Sequence, residues 1–198
     1  MSNQYFENNE NLKSNIQTIK YYFKKNTLLF DTDNGVFSKG GIDYGSNVLL
    51  QTLPDLEGRN TLLDVGCGYG TMGLTLAKKY PNLYIDMVDV NLRAIELSKN
   101  NALKNDIHNV DIYESSCYEN VDKCYDIIIS NPPIRAGKKI VFEILSGAFD
   151  YLNDGGELWI VIQKKQGAES SLKHLKTIFN DVEVVNKDGG YWIIKSRK

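Results

Sequence analysis

The chain has 198 residues, 42% hydrophobic and 24% charged, the composition of one globular domain with a substantial core. Lys and Arg total 23 against 25 Asp and Glu; the net charge of −2 removes a whole-molecule electrostatic case for binding nucleic acid and leaves a local basic patch open. Cys67, Cys117 and Cys124 match no metal-ligand spacing and His108 and His174 are isolated, which predicts reduced thiols, a cytoplasmic protein and no metal. No apolar run approaches the ~20 residues of a membrane span, and residues 1–10 carry neither the basic nor the apolar stretch of an export signal.

Residues 1–55 are polar and weakly periodic, and are expected to form an extension packed on a domain spanning 56–198. Ile16, Ile19 and Phe23 have helical spacing, residues 27–30 predict a short strand, and Gly35, Gly40, Gly41 and Gly45 mark an ordered loop. From Leu62 onward, strands at 62–65, 83–89, 110–113, 125–129 and 158–162 alternate with amphipathic helices. Pro81 closes the first helix, and Asn91 is placed to cap the second. Val141, Leu145, Ala148 and Leu152 form a helical stripe that Asn153-Asp-Gly-Gly156 ends. Leu172, Leu175 and Phe179 mark a last helix, and residues 182–185 and 191–194 flank Asp188-Gly-Gly190 as a closing hairpin. The pattern predicts an α/β fold: a doubly wound, mostly parallel seven-stranded sheet with a C-terminal antiparallel hairpin. Function is then expected in the loops after Val65, Asp89, Tyr113 and Ile129, at the carboxyl ends of the strands.

The first of these loops, Asp64-Val-Gly66-Cys-Gly68-Tyr-Gly70, opens a helix. Its glycines permit positive φ and close approach of a ligand to backbone N–H groups, or simply make a tight strand–helix turn. Gly68-Tyr-Gly70-Thr-Met-Gly73 also satisfies the dinucleotide fingerprint, but there the first glycine follows the strand directly, and here Gly66 has already begun the turn. Asp89, at the end of the second strand, suits a ribose under either cofactor reading. Ser130-Asn131-Pro132-Pro133-Ile134 follows the fourth strand; its prolines stiffen the loop and its Asn offers a two-way amide. Asn-Pro-Pro after this strand resembles the motif of methyltransferases that act on planar nitrogens, and the resemblance implies that the Asn131 side-chain oxygen and the Pro132 carbonyl accept the strengthening N–H donors of an amine that becomes cationic as it attacks a methyl sulfonium. A nicotinamide dehydrogenase has no use for that arrangement.

The glycine loop resembles motif I of class I S-adenosylmethionine-dependent methyltransferases, and Asn-Pro-Pro resembles the subgroup that methylates planar nitrogens. Gly35-Val-Phe-Ser-Lys39 with Asp43 and Gly45-Ser46, Asn131-Pro-Pro-Ile-Arg-Ala-Gly-Lys138, and Lys165-Gln-Gly-Ala168 narrow the likeness to the methyltransferase small family. That resemblance implies an S-adenosylmethionine-dependent enzyme acting on the N2 amine of guanine in ribosomal RNA, with RNA as partner. It implies cofactor contacts at Asp64, Gly66, Cys67, Gly68, Gly70, Asp89, Val90, Ser116, Cys117 and Asn131, and a catalytic group of Asn131, Pro132, Pro133 and Ile134. Ser116 departs from the family pattern, which has an Asp there for the adenine amine, so that bond is expected to be weaker. Cys67 and Cys117 are read as small packing residues, and Phe37 as either a lid over the target base or a buried anchor. Arg135, Lys138, Lys139, Lys164 and Lys165 are expected to form a basic rim for RNA. Adenine-N6 and protein glutamine-N5 methylation are the rival reactions, although Ile134 lacks the aromatic ring those relatives usually carry. A non-catalytic adenosylmethionine-binding module is the rival from another class.

Overall fold

The computed structural model describes residues 13–38 and 40–198. The reading of residues 1–10, and Lys39 within the Gly-Val-Phe-Ser-Lys stretch, lie outside the described residues. The chain opens with an antiparallel hairpin, β1 (Gln17–Phe23) and β2 (Asn26–Thr32), and helix α1 (Tyr44–Thr52). Alternation follows: β3 (Thr61–Val65), α2 (Thr71–Lys79), β4 (Tyr84–Asp89), α3 (Leu92–Lys104), β5 (Val110–Glu114) and β6 (Tyr125–Ser130). Then come α4 (Lys138–Tyr151), β7 (Leu152–Gln163), α5 (Ala168–Leu175), β8 (Asp181–Asp188) and β9 (Tyr191–Arg197).

The strands from β3 onward form one seven-stranded sheet in the order β5-β4-β3-β6-β7-β9-β8, parallel except at β9, which runs against both β7 and β8. The central strands are apolar on both faces because both are covered. Leu62, Ile127, Ile129, Trp159 and Val161 face α1, α2, α3 and the hairpin, and Leu63, Val65, Ile128, Leu158 and Ile160 face α4 and α5. Asn91 caps α3 as expected, accepting from the N–H groups of Arg93 (3.1 Å) and Ala94 (3.2 Å). The Asp188-Gly-Gly190 turn joins β8 to β9 with both glycines at positive φ.

Three local expectations are corrected. Ile16, Ile19 and Phe23 do not form a helix: the segment is strand β1, and its burial alternates, with Ile19, Tyr21 and Phe23 turned inward and Lys20 and Tyr22 outward. A two-residue period in this Tyr-rich stretch overrides the accidental spacing of its aliphatics. Leu152 is not the last helical residue but the first of β7; it adopts an extended conformation and pairs with Tyr125, and residues 153–156 form an irregularity inside the strand. Phe179 likewise lies beyond the end of α5, buried against Phe149.

The hairpin is tied to α3 by two side chains one helical turn apart. Asn105 Oδ1 accepts from Leu29 N–H (2.8 Å) and its Nδ2 donates to the Leu29 carbonyl (2.8 Å). Asn101 accepts from Asp31 N–H (2.7 Å) and donates to the carbonyls of Asp31 (3.0 Å) and Tyr69 (2.9 Å). These amides complete the edge of β2 that β1 does not pair. Asn101 is fully buried, so Asn101→Leu strands three backbone groups and is expected to cost about 2–4 kcal/mol. A lower urea midpoint at unchanged slope is the expected readout; an unmoved midpoint means the clasp contributes nothing net.

Candidate functional site

The strand order reverses at β3, which has β4 on one side and β6 on the other, so the loops leaving β3 and β6 diverge and open a crevice. The glycine loop forms one wall. Gly66 N–H and Cys67 N–H both donate to the Val88 carbonyl (2.9 and 3.0 Å), and Gly68 N–H donates to Asp89 Oδ2 (2.8 Å). The glycines differ in what requires them. At Gly70 (φ +99°) a Cβ would lie 2.6 Å from Leu74 and 2.7 Å from Ser98, so packing excludes a side chain. At Gly66 and Gly68 a Cβ would meet no protein atom; there the positive φ and the open cavity alone call for glycine.

That cavity has a volume of about 350 Å³. Gly66, Cys67, Gly68, Asp89, Val90, Ser116, Cys117, Asn131, Pro132 and Pro133 line it. Asp64 and Gly70 do not: Asp64 is buried beneath the loop, where Oδ2 accepts from Gly73 N–H (2.9 Å) and braces the start of α2. A second chamber of about 320 Å³ adjoins the first and is lined by Ile134, Arg135, Gln163, Gln166 and Tyr191. Phe37, Ser38, Asp43, Asn131 and Pro132 line both and so form the shared wall. Phe37, at 39% exposure, is therefore a wall residue and not a buried anchor.

Asn131 is held by residues that precede the sheet. Its Nδ2 donates to Asp43 Oδ2 (2.8 Å) and to Ser46 Oγ (3.0 Å), while Ser130 Oγ ties the end of β6 to the Val65 carbonyl (2.8 Å). Asp43 also caps α1, its Oδ2 accepting from Ser46 N–H (2.8 Å). The segment bearing these groups is stitched to the cofactor-side loops by Asn91 Nδ2 on the Gly35 carbonyl (2.9 Å), Arg93 on the Asn34 carbonyl (2.9 Å) and Tyr69 Oη on the carbonyls of Ser38 (3.4 Å) and Gly41 (3.3 Å). Asp43, Ser46, Tyr69, Gln163, Gln166 and Tyr191 were not singled out as site residues from the sequence. Asp43 and Ser46 entered the sequence reading only as part of the family likeness, with no role attached, and nothing in it pointed 88 residues ahead to Asn131.

Of the expected basic rim, only Arg135 borders a chamber; Lys138 and Lys139 lie exposed on the first turn of α4, and Lys164 and Lys165 on the turn after β7. Lys138 Nζ sits over the Phe142 ring at 4.8 Å. Burial raises the Cys67 thiol well above its ordinary value and pushes Cys117 up to about 11, so both are protonated at neutral pH and poorly nucleophilic. Asp89 is raised by burial, against the opposing N–H donors of Asn91, Gly68 and Val90.

Burial, reinforced by the neighbouring Asp89, raises Asp64 to about 7, with the Gly73 N–H pulling the other way. A carboxyl raised in the folded state binds more protons folded than unfolded, so its ionisation removes stability as pH rises from about 4 to about 7. Asp64→Asn lacks that titration. The melting temperature of the variant relative to wild type is expected to rise across this window, and a pH-independent difference would contradict the assignment.

A family model described as "Methyltransferase small domain" matches residues 27–195. The chain is 46% identical over 200 residues, and the full length of both chains, to the uncharacterized protein YbxB of Bacillus subtilis. It is 39% identical over 145 residues to ribosomal RNA small subunit methyltransferase C of Hahella chejuensis, covering 71% of this chain and 42% of that one. The Vibrio cholerae enzyme of the same name is 32% identical, covering 83% of this chain and 48% of that one, so the chain spans about half the length of these methyltransferases. Among solved structures, the T. thermophilus 16S rRNA N2 methyltransferase RsmC, in complex with AdoMet and guanosine, shares the fold: TM-score 0.82 and 23% identity over 92% of this chain and 50% of that one. A Pyrococcus furiosus methyltransferase superposes with a TM-score of 0.69 at 22% identity, covering 82% of this chain and 86% of that one.

Proposed function

The chain belongs to the methyltransferase small domain family, and from that premise we propose that it methylates the exocyclic N2 amine of a guanine in ribosomal RNA, using S-adenosylmethionine. The fixed amide of Asn131 in the wall between two chambers carries this reading. The first chamber fits the cofactor in volume and in its floor, where Gly66 and Gly68 leave space that side chains would fill. Asp89 accepts from the backbone N–H groups of Gly68 (2.8 Å) and Asn91 (2.9 Å) and also from that of Val90, which leaves at least one of the four carboxylate lone pairs for a ribose hydroxyl. S-adenosylmethionine supplies a methyl group made electrophilic by its sulfonium.

In the second chamber, Gln163, Gln166 and Arg135 offer acceptor, donor and guanidinium groups. That set matches the amide edge of guanine, which presents two N–H donors and a carbonyl, better than it matches adenine. Asn131 Oδ1 and the Pro132 carbonyl accept from the amine as it becomes cationic. With S-adenosylmethionine bound, the nitrogen lone pair would form the new C–N bond as the sulfonium C–S bond breaks to leave a neutral thioether, and the surplus proton would pass to water. No strong base is required, since the methylated nitrogen is acidic until that proton leaves. Arg135 at the chamber mouth, with the exposed lysines of α4 and the turn after β7, supports RNA as the partner. RNA affinity should therefore fall steeply with salt.

Asp89→Ala is expected to weaken the cofactor at least tenfold, the scale of about 1.5–3 kcal/mol for one hydrogen bond to a charged group, read by calorimetry. Unchanged affinity would place the ribose elsewhere. Asn131→Ala is expected to lower turnover by about 10²–10³ with a much smaller change in cofactor affinity. Labelled cofactor incubated with undermethylated small ribosomal subunits, followed by nucleoside digestion, should put the label in N2-methylguanosine. Label in N6-methyladenosine or in protein would overturn the substrate. No label in any macromolecule, with Asn131→Ala indistinguishable from wild type, would favour the non-catalytic binding module.

A further inference from the structure

An asparagine amide has two orientations of nearly identical shape and opposite chemistry. In one, the carbonyl oxygen meets the incoming amine; in the other, an NH₂ group does, setting donor against donor. Asn131 therefore needs a device that chooses between them. Ser46 Oγ cannot choose, because a hydroxyl donates or accepts and tolerates either orientation. A carboxylate accepts only. Asp43 Oδ2, 2.8 Å from Asn131 Nδ2, is compatible with the nitrogen on its side and opposed to the oxygen. The same oxygen is itself immobilised by Ser46 N–H at the start of α1 (2.8 Å), so its position is set by backbone geometry.

We propose that Asp43 is a positioning residue that locks the Asn131 amide with Oδ1 facing the target amine, making an N-terminal helix cap part of the machinery for methyl transfer. The inference rests on the amine-methyltransferase reading above, and goes beyond it by assigning a residue outside the glycine loop and the Asn-Pro-Pro loop. It also accounts for a cap and a catalytic amide meeting on one carboxylate oxygen, which the stability of α1 alone does not require.

Asp43→Ser retains a good helix cap but is one atom too short to reach Asn131. It is expected to lower kcat by about tenfold or more, while cofactor affinity stays within about threefold of wild type. Asp43→Asn keeps an acceptor oxygen, oriented by the same Ser46 N–H, and should recover most of the lost turnover. Since Asp43 acts through Asn131, the Asp43→Ser/Asn131→Ala double variant should be no slower than Asn131→Ala alone. Losses that multiply, or an Asp43→Ser enzyme with wild-type kcat, would overturn the proposal. A second readout is independent of substrate: solvent exchange at the Asn131 side-chain NH₂, assigned by its absence in Asn131→Ala and followed by ¹⁵N NMR. Exchange slowed in wild type and accelerated in Asp43→Ser supports the lock even if the acceptor is not guanine; equal exchange in both refutes it.

Discussion

The site depends on one topological constraint, the reversal of strand order at β3. Chains leaving β3 and β6 in opposite directions cannot cover the space between them, and that space is at the carboxyl edge of a sheet whose interior is closed by apolar packing. The cofactor-side loops and Asn131 are delivered to this gap by the ends of rigid strands. The glycine loop leaves β3, Asp89 ends β4, the Ser115–Cys117 turn follows β5, and Asn131 follows β6. Adjacent parallel strands hold these ends in register: Val65 pairs with Val88 on one side and Ser130 on the other.

The sheet alone builds only half of the site. Phe37, Ser38 and Asp43 precede it and form the wall between the chambers with Asn131 and Pro132, and Ser46, which also precedes it, lines the first chamber. This segment is fastened by hydrogen bonds to its backbone carbonyls from Tyr69, Asn91 and Arg93, and by the Tyr69 ring packed edge-on to Phe30. Tyr69 sits between Gly68 and Gly70, so the residue that makes the loop glycine-rich only at alternate positions also anchors the wall. The loop facing the first chamber and the wall bounding the second are mechanically one unit.

The parts legible in the sequence were those set by local rules. Alternating apolar runs gave the parallel strands, Asn91 gave a cap, and Asp64-Val-Gly-Cys-Gly-Tyr-Gly70 gave a turn that needs positive φ. The β1 segment was misread because Ile19 and Phe23, four positions apart, satisfy both periods, and Ile16, which is exposed and precedes the strand, completed a helical spacing by accident while Tyr21 is the third inward residue. Asp43, Ser46 and Tyr191 were not legible as site residues, since their roles come from contacts across the whole fold. The lysines show the converse: Lys138, Lys139, Lys164 and Lys165 are close to the motifs in sequence, yet they line neither chamber.

The asparagine clasp between α3 and β2 carries a consequence for how this junction tolerates change. A hydrophobic seam is sensitive to volume and indifferent to which atoms supply it. The Asn101 and Asn105 amides behave the other way, because each presents a donor and an acceptor to one backbone residue in the manner of a neighbouring peptide group. Exchanging NH₂ for O, the change from Asn to Asp, leaves size and shape untouched and turns oxygen lone pairs on the carbonyls of Asp31 and Tyr69. The seam that keeps the amino-terminal segment on the sheet is thus a lock with an atomic key, tolerant of changes in the packing around it and intolerant of one exchanged atom.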